Sequence, residues 1–321
     1  MDLKESGIIN VRKPEDWTSH DCVAVMRRIL GIKRVGHTGT LDPMATGVLP
    51  VCAGTAARIM EYLDLDFKTY ECEMQLGLES DTLDRWGTIT QSHNTAHITQ
   101  KQIMEAFEPF QGTISQIPPK YSAVKVDGKK LYQYARAGEE VVIKPRKVYI
   151  RDLTVQNIDM EQKKISWTVT CSKGTYIRSI CRDIGDALSC GAVMTALTRT
   201  ASGIFSLSDA ADIRKLREMD KDEVKKLLIP PDKPLIHFGK GLLNKEQAAR
   251  FCNGGRFSME EIRIVQRPYY EQREPHIPVP DRYRKAYRMY GSQEGKEIFL
   301  GVAVYSEKYR KLIADKVFYR G

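Results

Sequence analysis

The sequence predicts an α+β protein with a mixed, largely antiparallel sheet and flanking helices, followed by a small, mainly β module. Along the first 230 residues, strand patterns and helical patterns intermingle without the regular strand–helix–strand repeat of a parallel sheet. Near residue 228 the run LLIPPDKPL places three prolines within five residues, which is typical of a domain boundary. Beyond it, one helical segment and several short strand-like runs indicate the smaller β module.

Helices are predicted where apolar residues recur at helical spacing between capping residues. Thr18 or Ser19 caps the first helix, Gly31 ends it, and the apolar spacing gives it one buried face. Thr99 and Gln102 form a capping box for a helix through residue 107. The other predicted helices span residues 55–63, 177–188 and 244–252.

Strands are predicted where apolar and polar residues alternate. Within residues 67–78, every second residue from Tyr70 to Leu76 is apolar, which indicates a half-buried strand. Residues 33–50 are predicted as a loop, because glycine and threonine dominate and few side chains are available for packing. The other predicted strands span residues 141–158, 165–171, 192–200 and 298–305.

The proline-rich boundary divides the chain into residues 1–230 and residues 231–321. The second part holds 18 Lys+Arg and 11 Asp+Glu, which is +7 of the formal charge of +9. A basic module favours a polyanionic partner, nucleic acid before membrane, although a well-solvated surface explains charge alone about equally well. Residues 260–288 are rich in Pro, Arg and Tyr and are interpreted as an inserted loop.

Length, hydropathy and cysteines exclude several classes of protein. The chain has 321 residues, of which 42% are apolar, enough for a sizeable core. No apolar run reaches the roughly 18 residues that span a bilayer, and the N-terminus lacks the apolar stretch of a signal peptide. Seven scattered cysteines without a Cys-x-x-Cys pair argue against a zinc ribbon and fit a reducing compartment. We therefore expect a soluble, cytoplasmic protein.

The run GHTGTLDPMATGVLP, residues 36–50, is the most informative stretch for function. Its three glycines and three threonines allow a ligand to approach the backbone closely. Asp42 lies directly before Pro43, and a residue before proline is held extended, which fixes how the carboxylate projects. Taken alone, these residues favour an ordinary Asp-Pro turn somewhat more than a catalytic carboxylate.

Extended to GHTGTLDPMATGVLPV, this run resembles the signature of the TruB family of tRNA pseudouridine synthases. Further stretches that resemble the family follow in order over nearly all of residues 7–207: GIINVRKPEDWTSHD, KTYECEMQLGLESDTLDRWG, QIPPKYSAVKVDGKKLYQYARAG, CSKGTYIRSICRDIG and ALTRTASGIF. Past residue 235, LLNKEQAARFCNGGRF and GKEIFLGVAVY resemble a PUA-type RNA-binding module. The resemblance implies the pseudouridine synthase fold and an enzyme that isomerises uridine 55 in the T loop of tRNA.

The family's pocket residues correspond to residues at matching positions of this chain. The resemblance implies Asp42 as the nucleophile, Arg178 as its guanidinium partner, and Tyr70 as the ring that packs against the target base. Tyr176 and Leu197 are implied to line the same pocket. Taken singly, each of these residues is better explained as an ordinary core or surface residue. Their occurrence together, in the family's order and with the Asp42 loop, favours the family's site.

Other residues are expected to contact the RNA around the pocket. His37 matches the family histidine that fills the space that the base leaves in the T loop. Lys13 is expected to contact a phosphate of the RNA near the active loop. Thr40 is expected to contact the substrate as well. Residues 118–146 resemble the family's thumb segment, because they interleave basic residues with tyrosines, which suits RNA with splayed bases. An amphipathic hairpin with a solvated face is the alternative.

Pseudouridine formation conserves every atom of the nucleotide, so no cofactor and no metal is expected. The bond between uracil N1 and the ribose breaks, and the base rejoins through C5. A carboxylate suits this chemistry as nucleophile, whether it attacks uracil C6 or ribose C1′. His93 and His97 have the spacing of helical metal ligands but lie among polar residues without a Glu partner, so we interpret them as loop histidines.

The expected partner is tRNA, through its T stem-loop and also its acceptor stem, with no membrane. The thumb-like segment and the lack of a long basic tail favour a stand-alone monomer over the guide-RNA-dependent relatives of archaea and eukaryotes. An RNA-folding chaperone with a vestigial pocket is a third possibility. The presence of Asp42, Tyr70 and Arg178 argues against it.

Overall fold

Two β-sheets organise the chain. The computed structural model describes residues 6–269 and 279–318, and within them ten strands form one mixed sheet and six strands form a second sheet near the C-terminus. Two short hairpins stand apart from both sheets in this described part.

The elements are numbered along the chain. The described strands are β1 (Gly7–Lys13), β2 (Val35–His37), β3 (Thr46–Ala53), β4 (Lys68–Leu76), β5 (Leu78–Ser80), β6 (Ile89–Ser92), β7 (Gly112–Gln116), β8 (Lys125–Val126), β9 (Lys129–Lys130), β10 (Arg146–Asp159), β11 (Lys164–Cys171), β12 (Ala192–Ser202), β13 (Phe205–Ser206), β14 (Ala211–Asp212), β15 (Gly239–Leu242), β16 (Arg256–Phe257), β17 (Arg263–Gln266), β18 (Ala286–Gln293), β19 (Lys296–Ser306) and β20 (Lys311–Val317). The described α-helices are α1 (Ser19–Leu30), α2 (Met60–Leu63), α3 (Gln100–Phe107), α4 (Leu131–Ala137), α5 (Ile177–Ala187), α6 (Ile213–Leu216), α7 (Lys221–Lys226), α8 (Lys245–Cys252) and α9 (Asp281–Arg284). None of these helices is long and apolar enough to cross a membrane.

The large sheet has the strand order β14-β1-β3-β12-β4-β11-β10-β7, with β2 beside β3 and β13 beside β12. Its pairs are antiparallel except β1 with β14 and β3 with β12, which are parallel. The predicted fold class, α+β with a mixed, largely antiparallel sheet, is therefore confirmed. The second sheet, β16-β20-β19-β18-β15-β17, is a β half-barrel compatible with a PUA-like module.

Capping residues set the ends of two helices as predicted. Thr18 accepts a hydrogen bond from the Asp21 N–H at 3.1 Å, and Gly31 ends α1 in the left-handed conformation. Thr99 and Gln102 form the capping box of α3. These ends depend on local sequence, so they were predictable before the packing was known.

The predicted loop at residues 33–50 is wrong at both ends, because β2 and part of β3 lie inside it. Residues 47–53 of β3 are all buried, so this strand lacks the alternation that reveals a half-buried strand. Gly47 is required where β3 meets β12. A Cβ there, at φ +104°, would lie 2.2 Å from the carbonyl oxygen of Arg199.

Two other predicted segments also differ from the structure. Residues 141–145 are not strand, because β7 pairs with β10 only over residues 146–150. Residues 260–288 are not a single loop, since β17, α9 and the start of β18 lie within them, while residues 270–278 fall outside the described part. The edge strand β17 has only four residues, three of them exposed, which is too short a run to show the alternation of a half-buried strand.

A hydrophobic cluster joins the two sheets. Ile8 of β1 packs in it together with Phe238 and Tyr283 from the C-terminal part. The Tyr62 ring stands edge-on to both Phe238 and Tyr283, with centroids 5.1 Å apart in each pair. At the rim, the Tyr283 hydroxyl donates to the Glu61 carboxylate at 2.7 Å. The second sheet is thus held against the first by shared burial.

Phe238→Ala is expected to lower the free energy of unfolding by about 3–5 kcal/mol, because Phe238 is 2% exposed between the sheets and its loss leaves a cavity. Ile236→Ala changes a side chain that is 46% exposed and should cost about 0.5 kcal/mol or less. Urea unfolding followed by circular dichroism measures both. Equal losses would contradict a shared core at Phe238.

Candidate active site

A buried guanidinium and an accessible carboxylate meet where the Asp42 loop faces the start of α5. Nη2 of Arg178 lies 2.9 Å from Oδ2 of Asp42. The Arg178 side chain is 6% exposed and the Asp42 side chain 38%. The structure therefore brings together the pair predicted from sequence and leaves the carboxylate open to a ligand.

Arg178 also contacts two other segments, the turn after β5 and the thumb-like segment. Nη1 donates to the carbonyl of Thr82 at 2.8 Å and lies 3.5 Å from the buried carboxylate of Asp84. Nη2 donates to the carbonyl of Tyr121 in the thumb-like segment at 3.1 Å. A second carboxylate and two carbonyls compensate a guanidinium that is withdrawn from water. Sequence analysis did not single out Asp84, although the acidic run SDTLD was the available signal.

Backbone contacts hold the loop that carries Asp42. The Ser19 hydroxyl, in the first residue of α1, accepts from the Leu41 N–H at 2.9 Å and lies 3.1 Å from the Leu41 carbonyl, to which it donates. The Ala45 N–H donates to the carbonyl of Asp42 at 3.0 Å and closes a turn over Pro43. The loop is fixed without use of the Asp42 carboxylate, which stays available for chemistry.

Lys13 is buried, contrary to the prediction that it contacts a phosphate of the RNA. Its side chain is fully buried, and Nζ donates to the carbonyls of Pro14 at 2.9 Å, Trp17 at 2.5 Å and Pro43 at 3.1 Å. Burial lowers the pKa of the Lys13 ammonium to about 8. Three carbonyls that need a donor hold the amine inside, so Lys13 supports the Asp42 turn and is not positioned to bind a phosphate.

Arg199 is a second buried cation behind the loop, and sequence analysis did not single it out. Its Nε donates to the carbonyl of Val48 at 2.7 Å, and Nη2 donates to the carbonyl of Gly39 at 2.9 Å. These carbonyls flank the loop on its two sides, so Arg199 ties the ends of the loop together. Its burial depends on β12 lying beside β3, which no local pattern reveals.

A small cleft of about 90 Å³ opens beside the Asp42 carboxylate. Its lining contains the predicted residues Thr40, Asp42, Tyr70, Tyr176, Arg178 and Leu197, together with Leu41, Thr175 and Ile177, which were not predicted. Tyr70 on β4 and Leu197 on β12 come from neighbouring strands. Burial raises the pKa of the Tyr70 hydroxyl, so this phenol stays protonated at neutral pH.

His37 is not part of this lining. It ends β2, and its ring stands edge-on to that of His20 with centroids 5.4 Å apart. Burial, assisted by the nearby His20, lowers the pKa of His37 to about 4, so the ring is neutral at neutral pH. Its contact with RNA stays a prediction.

His93 and His97 follow β6 in a non-helical segment, and Nε2 of His93 lies 2.7 Å from Oε1 of Glu79. Within residues 6–269 and 279–318, no group of three or more His, Cys, Asp or Glu is arranged to hold a metal ion.

The backbone resembles two solved complexes over almost its whole length. An H/ACA RNP bound to a substrate RNA containing 2′-deoxyuridine matches with a TM-score of 0.71 and 21% identity, over 99% of this chain and 86% of that one. A Cbf5-Nop10-Gar1 complex matches with a TM-score of 0.71 and 23% identity, over 99% of this chain and 87% of that one. At these identities the likeness shows the fold alone.

Sequence comparison is more specific. The profile of the TruB family pseudouridylate synthase N-terminal domain matches residues 27–177, and that of the tRNA pseudouridylate synthase B C-terminal domain matches residues 178–236. The tRNA pseudouridine synthase B of Clostridium perfringens strain ATCC 13124 is 40% identical over 96% of this chain and 97% of its own length. That of Clostridium kluyveri is 42% identical over 77% of this chain and 84% of its own.

The fold and these matches define an enzyme of the pseudouridylate synthase class, which is a class of isomerases. Within that class, the chain belongs to the TruB family.

His37 should make stability pH-dependent. Its folded pKa of about 4 lies below the ordinary value of 6.5, so the unfolded chain binds a proton that the folded chain does not. Stability that is present above pH 6.5 is therefore lost as the pH falls towards 4, with a slope below about 1.4 kcal/mol per pH unit. Urea unfolding of His37→Gln between pH 7 and 4.5 should lack this loss, whereas the exposed-site control His97→Gln should keep it. Parallel curves for wild type and His37→Gln would refute the lowered pKa.

Proposed function

We propose that this protein isomerises a uridine of tRNA to pseudouridine, at position 55 in the T loop, with Asp42 as the nucleophile. The observation that carries the proposal is the 2.9 Å contact between Arg178 and Asp42 beside a cleft lined by Tyr70 and Leu197. Membership of the family supports the reaction, and the names of the relatives support tRNA as the substrate. The sequence resemblance supports the T loop as the location of the target uridine.

The proposed reaction places an everted uridine beside the Asp42 carboxylate. The carboxylate oxygen bonds either to uracil C6 or to ribose C1′, and the bond between N1 and C1′ breaks. The uracil turns, C5 bonds to C1′, the carboxylate is released, and C5 gives up its proton while N1 gains one. The product has the same atoms as the substrate, so no redox partner is needed. Arg178 holds the carboxylate in a fixed orientation during these steps.

The cleft also has to hold a base that is briefly detached. The Tyr70 ring offers a flat apolar surface, and Leu197 adds an apolar wall from the next strand. Tyr176 and Thr40 also line the cleft. Everting the uridine costs a few kcal/mol, and burial of the base against these side chains offsets part of that cost.

RNA binding outside the cleft is proposed for the thumb-like segment. Its hairpin β8–β9 and helix α4 present stacked cations and rings. Nζ of Lys129 lies 4.5 Å from the Tyr134 ring centroid, and Lys130 and Arg136 both approach the Tyr132 ring. The carbonyl of Tyr121 accepts from Arg178, so this segment is linked to a residue that lines the cleft.

The C-terminal module is proposed to contact the acceptor stem. Between α8 and strands β18 and β19 lies a cavity of about 730 Å³ whose lining includes Lys245, Asn253 and Gln293. Lys245 offers a cation, and Asn253 and Gln293 offer hydrogen-bond donors, for a nucleic-acid backbone. The same lining also includes the apolar residues Ala248, Cys252, Ile298 and Leu300. We propose that the chain acts as a monomer without a guide RNA or protein partner.

Asp42→Asn is expected to reduce pseudouridine formation in an unmodified tRNA transcript by at least about 1,000-fold, because an amide is not a nucleophile. Mass spectrometry of the RNA, with no other protein added, measures the product. Asp16→Asn is the matched control. Asp16 is exposed and left-handed, at φ 69°, a conformation that Asn tolerates, so this variant should keep wild-type activity. Near-normal activity of Asp42→Asn would rule out the proposed nucleophile.

Arg178→Lys is expected to lower kcat by about 100-fold or more. One ammonium cannot reach Asp42, Asp84 and two carbonyls together, so the carboxylate shifts from its productive position. Arg182→Lys, one turn further along α5, changes a partly exposed Arg–Asp pair and should stay close to wild type. Single-turnover assays compare the two. Equal effects of both changes would mean that the guanidinium of Arg178 has no special role in positioning the Asp42 carboxylate.

A further inference from the structure

A large aromatic side chain near the active site is exposed. Trp86 lies on the turn between β5 and β6 and is 46% exposed. Within the described residues, no ring pairs with its indole and no group hydrogen-bonds to it. Tryptophan in water is unfavourable because its large apolar surface stays hydrated, so the position favours contact with a partner.

The turn that carries Trp86 is held rigidly. Oδ1 of Asp84 accepts from the Trp86 N–H at 3.1 Å and from the Thr82 hydroxyl at 2.7 Å. The Arg85 N–H donates to the carbonyl of Met194 on β12 at 2.9 Å. A ligand that binds the indole therefore loses little affinity to ordering of the backbone.

The same turn contacts the proposed catalytic pair. Asp84, which accepts from Trp86, lies 3.5 Å from Nη1 of Arg178, and Nη2 of Arg178 lies 2.9 Å from Asp42. The next residue, Arg85, pairs with Glu15. The residue after Glu15 is Asp16, whose backbone N–H donates to the carbonyl of Pro43 in the Asp42 loop. The backbone of Trp86 is thus linked to Asp42 through two side chains, those of Asp84 and Arg178.

We propose that Trp86 is a stacking platform for an unpaired base of the RNA that neighbours the everted uridine. This inference rests on the proposed function. When one nucleotide leaves its stack, the faces of its neighbours are uncovered, and proteins that bind such RNA cover them with aromatic rings. An indole stacks on every base type, so the platform adds affinity and position without selecting a sequence.

The test compares the dissociation constants of Trp86→Leu and Trp86→Phe for an unmodified tRNA transcript, by filter binding at fixed salt. Leucine keeps apolar bulk without a ring and should weaken binding roughly 5-fold to 150-fold, whereas phenylalanine should retain most of the affinity. Ile89→Leu, at a neighbouring side chain that is also 46% exposed, is the matched control and should bind like wild type. Equal affinities of the wild type and Trp86→Leu would overturn the platform.

Transcripts with one abasic site at each loop position locate the stacked base. At one position the difference between wild type and Trp86→Leu should vanish, because the partner of the ring has been removed. A loss that persists at every abasic position would also overturn the proposal. Pseudouridine formation by the wild type is measured on the unmodified transcript that is used for the binding comparison. Product with unchanged binding of Trp86→Leu refutes the platform alone, whereas absence of product refutes the proposed function.

Discussion

The buried guanidinium of Arg178 is the constraint on which the site depends. A charge withdrawn from water is tolerated only when carboxylates and carbonyls surround it. Here these partners come from the Asp42 loop, from Asp84 and Thr82 in the turn after β5, and from Tyr121 in the thumb-like segment. One side chain at the start of α5 therefore makes three distant segments converge, and the cleft lies where they meet.

Buried cations perform a related task behind the loop. Lys13 binds the carbonyl of Pro43, and Arg199 binds the carbonyls of Gly39 and Val48. Both bind the backbone and leave the Asp42 carboxylate to Arg178. Leu41, Met44 and Ala45 of this loop are buried in the core, and hydrogen bonds to the loop carbonyls add to the rigidity that this packing gives.

The C-terminal sheet packs against the large sheet through a shared apolar cluster. Tyr62 and Glu61 near β3 contact Tyr283 and Phe238, which belong to the C-terminal part of the chain. This contact is an apolar cluster with a polar bond at its rim, so shared burial holds the two sheets together.

The sequence by itself determined the features that depend on short stretches of chain: the caps of α1 and α3, the strand face that carries Tyr70, the Asp42 loop, and the family. Six of the eight predicted site residues line the cleft, since motifs in fixed order identified them. Only the tertiary structure decided which charges are buried. Lys13 resembled a surface ligand, and Asp84 and Arg199 resembled ordinary polar residues, because their partners are carbonyls and side chains far away in sequence. Burial on both faces likewise removed the pattern that would have revealed β3.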